Sequence, residues 1–262
     1  MRTIPSFLDN VSTSTRRYFL RARRTPETVF FSTIQPILFV LLFVYVLGSA
    51  IDVRGVSYRE YLLAGVFCQV TVFGSALTGI GLATDKATGM SQRLRTLPIS
   101  PLSTIIGRTT MDLLTNILVV AIMMAVGLAV GWRTHTSPTK VLLGLLVLLL
   151  FCYSMSWVSA AVGLSARSVE VVQTAGVLWL YPLTFVSNVF VPIEGLVAPL
   201  RVFAEWNPVS VVTQAQRELY GNLPGAVPTA WPLRHAVPLS FAYCAMILAI
   251  FMPLSAWLFR RE

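Results

Sequence analysis

Residues 61–84 read YLLAGVFCQVTVFGSALTGIGLAT, with Glu60 before them and Asp85-Lys86 after them. These 24 residues contain no Asp, Glu, Lys or Arg. A bilayer core about 30 Å thick needs roughly 20 residues of helix. The stretch lacks two-residue alternation and is too long for a barrel strand, so its backbone must be satisfied within a helix. One Asp, Lys or Arg at mid-membrane costs about 2.5–3.5 kcal/mol, whereas a Leu, Ile, Phe or Val returns only about 0.3–0.6. An uncharged run of this length reads as a transmembrane span.

Five more gaps of the same kind punctuate the chain, after Glu27, Asp112, Lys140, Glu170 and Arg234. The longest remaining gap, Glu218 to Arg234, holds 15 residues and carries Pro224, Pro228 and Pro232. The expectation is an all-α membrane protein with six transmembrane helices, at about 29–51, 61–84, 110–132, 141–165, 171–192 and 237–259. Composition agrees. Of 262 residues, 55% are hydrophobic and 12% charged, and the mean hydropathy is +0.72. A soluble globule carries about 25% charged residues, and a disordered chain needs low hydrophobicity. The net charge of +9 is not on a soluble domain, so nucleic-acid binding is not expected.

Lys and Arg set the orientation. Thirteen of the 20 lie on one side, counting the N-terminal segment, the loop after the second span, Arg167 and the tail. That side is expected to be cytoplasmic, with both termini inside and the protein multi-pass in the cell membrane. Residues 1–28 show no cleavable signal peptide. Ile4, Phe7, Leu8, Val11, Tyr18, Phe19 and Ala22 share one helical face, with Arg2, Asp9, Arg16, Arg17, Arg21, Arg23 and Arg24 opposite and Leu20 the exception. Two readings fit: a cytoplasmic amphipathic interfacial helix with its arginines toward anionic head groups, or a disordered basic tail. Residues 29–262 then form the six-span domain.

The loop Thr84 to Ser103 contains a piece, Met90 to Leu97, long enough for about two helical turns. Gly89 can break the preceding helix, and Pro98 and Pro101 end the piece. It is either a rigid basic element displayed to a partner or a plain connector. Between the fifth and sixth spans, Leu196, Leu200 and Phe203 share a helical face. Asn207-Pro208 has helix-start chemistry and Gly221 can cap the end. Pro208, Val211, Val212, Ala215 and Leu219 form an apolar stripe, with Ser210, Thr213, Gln214 and Arg217 expected to face away. Two short external re-entrant helices are predicted there.

Gln35, Gln69, Gln173 and Asn188 are the largest polar groups inside spans, serving either helix–helix hydrogen bonds or substrate. Gln69, Phe73 and Leu77 share a face. Asp112 and Glu170 read as helix-end charges at the interface. The two lysines, Lys86 and Lys140, follow Asp85 and Thr139, so neither ends a P-loop. His135 and His235 have no acidic neighbour in sequence, and no G-x-S-x-G elbow exists. No metal ligand set is visible, and Cys68, Cys152 and Cys244 read as buried hydrophobes. An intramembrane enzyme and a passive scaffold remain as alternatives to a transporter driven by a partner.

Several fragments, in order, resemble the ABC type-2 transporter permease family, in its daunorubicin-resistance branch. They are RRTPE at Arg23–Glu27 with QPILFVLLF from Gln35, YLLAG with QVTVFGS, DKATGMSQRLRTLPIS with GRTTMDL, and SNVFVP with WNPVS and Arg217. The resemblance runs from about Arg16 to Arg217. It implies a permease that pairs with a second copy or a related permease and docks two cytoplasmic ATPase subunits. ATP and Mg belong to those subunits, and this chain holds no cofactor. The loop after the second span would be the coupling helix, with Asp85, Gly89, Gln92, Arg93, Arg95, Leu97 and Pro98 at the contact. Gln92 stands where the family often has an acidic residue, so no salt bridge to the ATPase is expected there. The expected function is outward movement of an amphiphilic drug, antibiotic or lipid-like molecule, the alternative being a polysaccharide or lipid-linked glycan. Gln69, Phe73, Trp179 and Asn188 are the candidate path residues.

Overall fold

A computed structural model describes residues 7–23, 26–47, 53, 55–90, 101–225 and 228–261. The helices are α1 (Phe7–Arg23), α2 (Pro26–Leu42) running into a π-turn at Phe43–Leu47, α3 (Tyr58–Ala87), α4 (Pro101–Val130) and α5 (Pro138–Ser165). Then follow α6 (Val169–Gln173), α7 (Ala175–Leu178), α8 (Leu180–Phe185), α9 (Ala198–Trp206), α10 (Pro208–Tyr220), α11 (Trp231–Arg234) and α12 (Ala236–Arg261). Four of them, α3, α4, α5 and α12, are long and apolar enough to cross a membrane. Thr33–Val46 is a shorter apolar helix.

α3 is the axis of the bundle. Its most apolar window is 78% buried inside the protein, against 11% for α12, so α12 is the peripheral helix. Local chemistry sets the start of α3: the Ser57 hydroxyl caps it by accepting from the Glu60 N–H at 3.4 Å. Its end follows the expectation at Gly89, which sits at φ 69, in the left-handed region that stops a helix after Thr88. The buried core joins α2–α5 with α8, α10 and α12, around Phe67, Trp132, Phe151 and Tyr220.

Several expectations need correction. The third helix starts at Pro101, not near 110, so Asp112 lies well inside it. Charge was a poor marker of that end because Arg108 pairs with Asp112 four residues on, at 2.9 Å. Asp112 is buried rather than sitting at an interface. The fifth stretch is not one helix. It is three short pieces, α6–α8, followed by a non-helical run to Val191. Pro182 inside it has no N–H to donate, and Thr174 departs from helical geometry at φ −98, ψ −80. The polar side of α10 does not face away: Ser210, Thr213, Gln214 and Arg217 are as buried as its apolar stripe. In α1 the side turned to the bundle is Val11, Ser14, Thr15 and Tyr18, while Phe19 and Leu20 are about half exposed. Arg17, expected on the head-group face, reaches Asp85 instead.

Candidate transport pathway

A cavity of about 270 Å³ lies between α2, α3, α4, α7 and α8. Its polar groups are Gln35, Gln69, Thr115, Asn116 and the Tyr181 phenol, and its apolar wall includes Phe39, Phe73 and Phe185. Among the described residues, no Asp, Glu, Lys or Arg lines it. The rings form a connected run: Phe73 meets Tyr181 edge-on at 5.1 Å, and Phe185 stacks on Tyr181 at 6.3 Å. Aromatic faces with a few amides suit an amphiphilic molecule held by stacking and hydrogen bonds. Of the path residues named from sequence, Gln69 and Phe73 line the cavity, and so does Leu77 on the same face of α3. Trp179 packs into the core, and Asn188 is buried elsewhere. Sequence reading missed Thr115, Asn116 and Tyr181. Their only signal was polarity within an uncharged run.

Below the cavity, toward the loop that follows α3, runs a seam of polar contacts between α3 and α4. Asn116 donates to the Asp112 carbonyl at 2.9 Å. The Asp112 carboxylate accepts from Thr78 at 2.6 Å and from Arg108 Nε at 2.9 Å. Arg108 also donates to the Leu77 carbonyl at 2.7 Å. The seam ends at Asp85, which accepts from the Tyr18 phenol at 2.7 Å and from Arg17 at 3.3 Å. Burial, and next the Asp85 carboxylate, push the Tyr18 phenol well above its ordinary pKa, so it stays the donor. Of the coupling positions, Asp85 is buried against α1, and Gly89 lies in open space. Gln92, Arg93, Arg95, Leu97 and Pro98 fall outside the described residues.

At the opposite end, the non-helical run after α8 is satisfied by side chains of α10 and its cap, by the Tyr58 and Tyr61 phenols of α3, which donate to the carbonyls of Phe190 at 3.2 Å and Asn188 at 3.0 Å, and by its own Ser187. Asn207 donates to the carbonyls of Leu183 at 2.7 Å and Val186 at 2.9 Å, while its own oxygen caps α10 at the Val209 N–H. The Ser210 hydroxyl accepts from the Asn188 N–H at 3.1 Å. Arg217, fully buried, donates to the carbonyls of Tyr61 (3.1 Å), Asn188 (2.7 Å) and Val189 (3.2 Å), and stacks over the Tyr61 ring at 3.5 Å. Gly65 leaves room for the Val189 backbone; a Cβ there would lie 2.9 Å from the Val189 carbonyl carbon. Irregular backbone at such a depth requires partners of this kind. The fragments SNVFVP and WNPVS, 13 residues apart in sequence, thus close one knot.

Helices long and apolar enough to cross a membrane, around an aromatic-walled cavity with no charged lining among the described residues, suit a membrane transport protein. Residues 9–220 match the family described as ABC-2 type transporter. The chain is 31% identical over 246 residues to the daunorubicin resistance ABC transporter permease protein DrrB1 of Streptomyces coeruleorubidus, covering 94% of this chain and 84% of that one. It is 27% identical over 221 residues to a putative transport permease, ycf38, of Porphyra purpurea, covering 82% and 75%. It is 23% identical over 212 residues to a probable doxorubicin resistance ABC transporter permease protein, DrrC, of Mycobacterium tuberculosis, covering 80% and 76%. The chain belongs to the ABC-2 transporter permease family. It is a multi-pass, non-catalytic membrane subunit whose ATPase resides on a partner.

Proposed function

We propose that this chain is the permease of an ATP-driven exporter that carries amphiphilic, aromatic drug-like molecules outward through the cavity between α2, α3, α4 and α8. The observation that carries this reading is the cavity itself: aromatic walls, amide groups and, among the described residues, no charged side chain. The names of the resistance permeases it resembles point the same way.

In this reading the chain crosses the membrane six times. The first crossing is α2 with its π-turn, 22 residues from Pro26 to Leu47, and the broken α6–α8 run is the fifth. Both termini lie in the cytoplasm, α1 lies along the inner face, and α9 and α10 sit at the outer end. Two ATPase subunits dock on a pair of permeases through the loop after α3. Arg93 and Arg95 anchor that contact, Leu97 packs beneath them, and Gly89 and Pro98 bound the element.

The test is export of doxorubicin, followed by its fluorescence, from proteoliposomes holding the permease and its ATPase subunit. Export that requires both chains and ATP is expected. Replacing Arg93 and Arg95 together by Ala should abolish it and leave membrane insertion intact. Export without ATP, or normal export by the double variant, overturns the reading.

A further inference from the structure

We propose that the bundle moves as two bodies, α3 with α5 and α1 with α4, and that the polar seam between α3 and α4 is where they part, latched at the loop end by Tyr18 and Asp85. The inference rests on the permease reading above.

The two bodies are held by backbone against backbone. A Cβ on Gly163 of α5 would lie 2.6 Å from the Gly79 Cα of α3, and one on Gly79 would lie 3.2 Å from the Ser159 carbonyl carbon. The Ser75 and Ser159 hydroxyls meet at 3.4 Å in the same contact. Lys86 closes its loop end by donating to the carbonyls of Leu164 at 3.1 Å and Ala166 at 3.3 Å. Likewise a Cβ on Gly107 of α4 would lie 2.5 Å from the Ser14 Cβ of α1 and 3.0 Å from the Thr15 nitrogen. Surfaces this close cannot slide without collision, so each pair moves as a unit.

The seam is different in kind. Of the charges along it, Arg108 and Asp112 sit on the same helix and pair with each other, so when α4 swings from α3 that pair leaves intact. Asp85 of α3 and Arg17 of α1 sit on opposite bodies and belong to the latch, which is therefore its costlier end to open. What breaks are side-chain hydrogen bonds, from Thr78 to Asp112 and from Arg108 to the Leu77 carbonyl, which water can replace, together with the packing of Ile105 of α4 in the buried apolar cluster it shares with Leu82 of α3 and Trp157 of α5. The far end of α4 stays tied to α3, because Arg59 donates to the Val130 carbonyl at 3.3 Å and Trp132 packs edge-on against Phe67 at 5.2 Å. That end is the pivot. The cavity opens on the seam, with Gly74 and Leu77 of α3 facing Thr115 and Asn116 of α4. Asp85 and Lys86, adjacent in sequence, hold opposite bodies: Asp85 grips α1 and Lys86 grips α5. A pull on the loop just beyond them therefore acts on the latch first. Tyr18 and Asp85 are positioning residues and touch no substrate.

Disulfide locks in the permease–ATPase complex test this, in a background where Cys68, Cys152 and Cys244 are replaced by Ala and doxorubicin export is retained. Oxidised Ser75→Cys/Ser159→Cys, within one body, should export like its parent. Oxidised Gly74→Cys/Asn116→Cys, across the seam, should stop export, and a reductant should restore it. A Cβ at Gly74 would lie 3.0 Å from the Asn116 Cγ, within reach of a disulfide. Independently, Tyr18→Phe should keep basal ATP hydrolysis, and both it and Asp85→Asn should raise the ATP consumed per molecule exported about tenfold, the population shift expected from losing one charge-assisted bond. Reversible arrest by the Ser75–Ser159 bond, free export with the Gly74–Asn116 bond, or an unchanged ATP ratio in both latch variants overturns the proposal. If the unmodified complex exports nothing, the permease reading fails instead.

Discussion

Arg217 is the residue whose removal tests the fold most directly. It is fully buried, it makes no ion pair among the described residues, and its guanidinium serves three carbonyls and one ring. Arg217→Met keeps the length and apolar stem and removes the donors. Charge-assisted bonds contribute about 1.5–3 kcal/mol each, so the three total roughly 5–9. Burying a cation without a counter-ion offsets several kcal/mol of that. The net loss is about 2–4 kcal/mol, with the Asn188 carbonyl partly rescued by the Tyr61 phenol at 3.0 Å. Arg217→Lys keeps the charge but not the planar fork that spans Tyr61, Asn188 and Val189, so it should recover only part of the loss. The assay is the midpoint of unfolding in a denaturing detergent, with protease sensitivity near Asn188 as a local readout. Wild-type stability in Arg217→Met would refute the idea that this side chain closes the end of the broken segment.

Asn207→Ala removes a helix cap and two carbonyl donors at once, and should cost about 2–4 kcal/mol in the same unfolding assay, more than an ordinary cap at about 1. Gly163→Ala should drive α5 from α3 and lower stability by about 1–3 kcal/mol, whereas Gly195→Ala, with nothing within 4 Å, should be silent. Phe73→Ala removes one ring of the cavity wall and its edge contact with Tyr181. The apparent KM for doxorubicin should rise about two- to tenfold, the equivalent of the roughly 0.5–1.5 kcal/mol of an aromatic pair, with basal ATP hydrolysis unchanged.

The placement of the long helices was legible in the chain because a charge in lipid is expensive and its absence over 20 or more residues is hard to produce otherwise. So were the helix punctuation marks, Asn207-Pro208, Gly89 and Gly221, since their chemistry acts within one turn. The cavity was half legible: the Gln69–Phe73–Leu77 face follows from helical spacing, but its opposite wall comes from four other helices. Asp112 was misjudged because a carboxylate beside a span looks like a helix-end charge until a hydroxyl of another helix, here Thr78, is brought to it.

What the amino-acid order alone determined is therefore everything governed by the cost of charge in lipid and by contacts within a turn: a helical, membrane-embedded chain without nucleotide chemistry of its own. Tertiary structure decided the rest. It broke the fifth stretch, because Asn207, Ser210 and Arg217 offer its backbone the partners a continuous helix would have supplied. It buried both faces of α10, and it set the Arg108–Asp112 pair against Thr78. Such contacts join residues from tens to well over a hundred positions apart, and no local rule of spacing or hydropathy carries information over that distance.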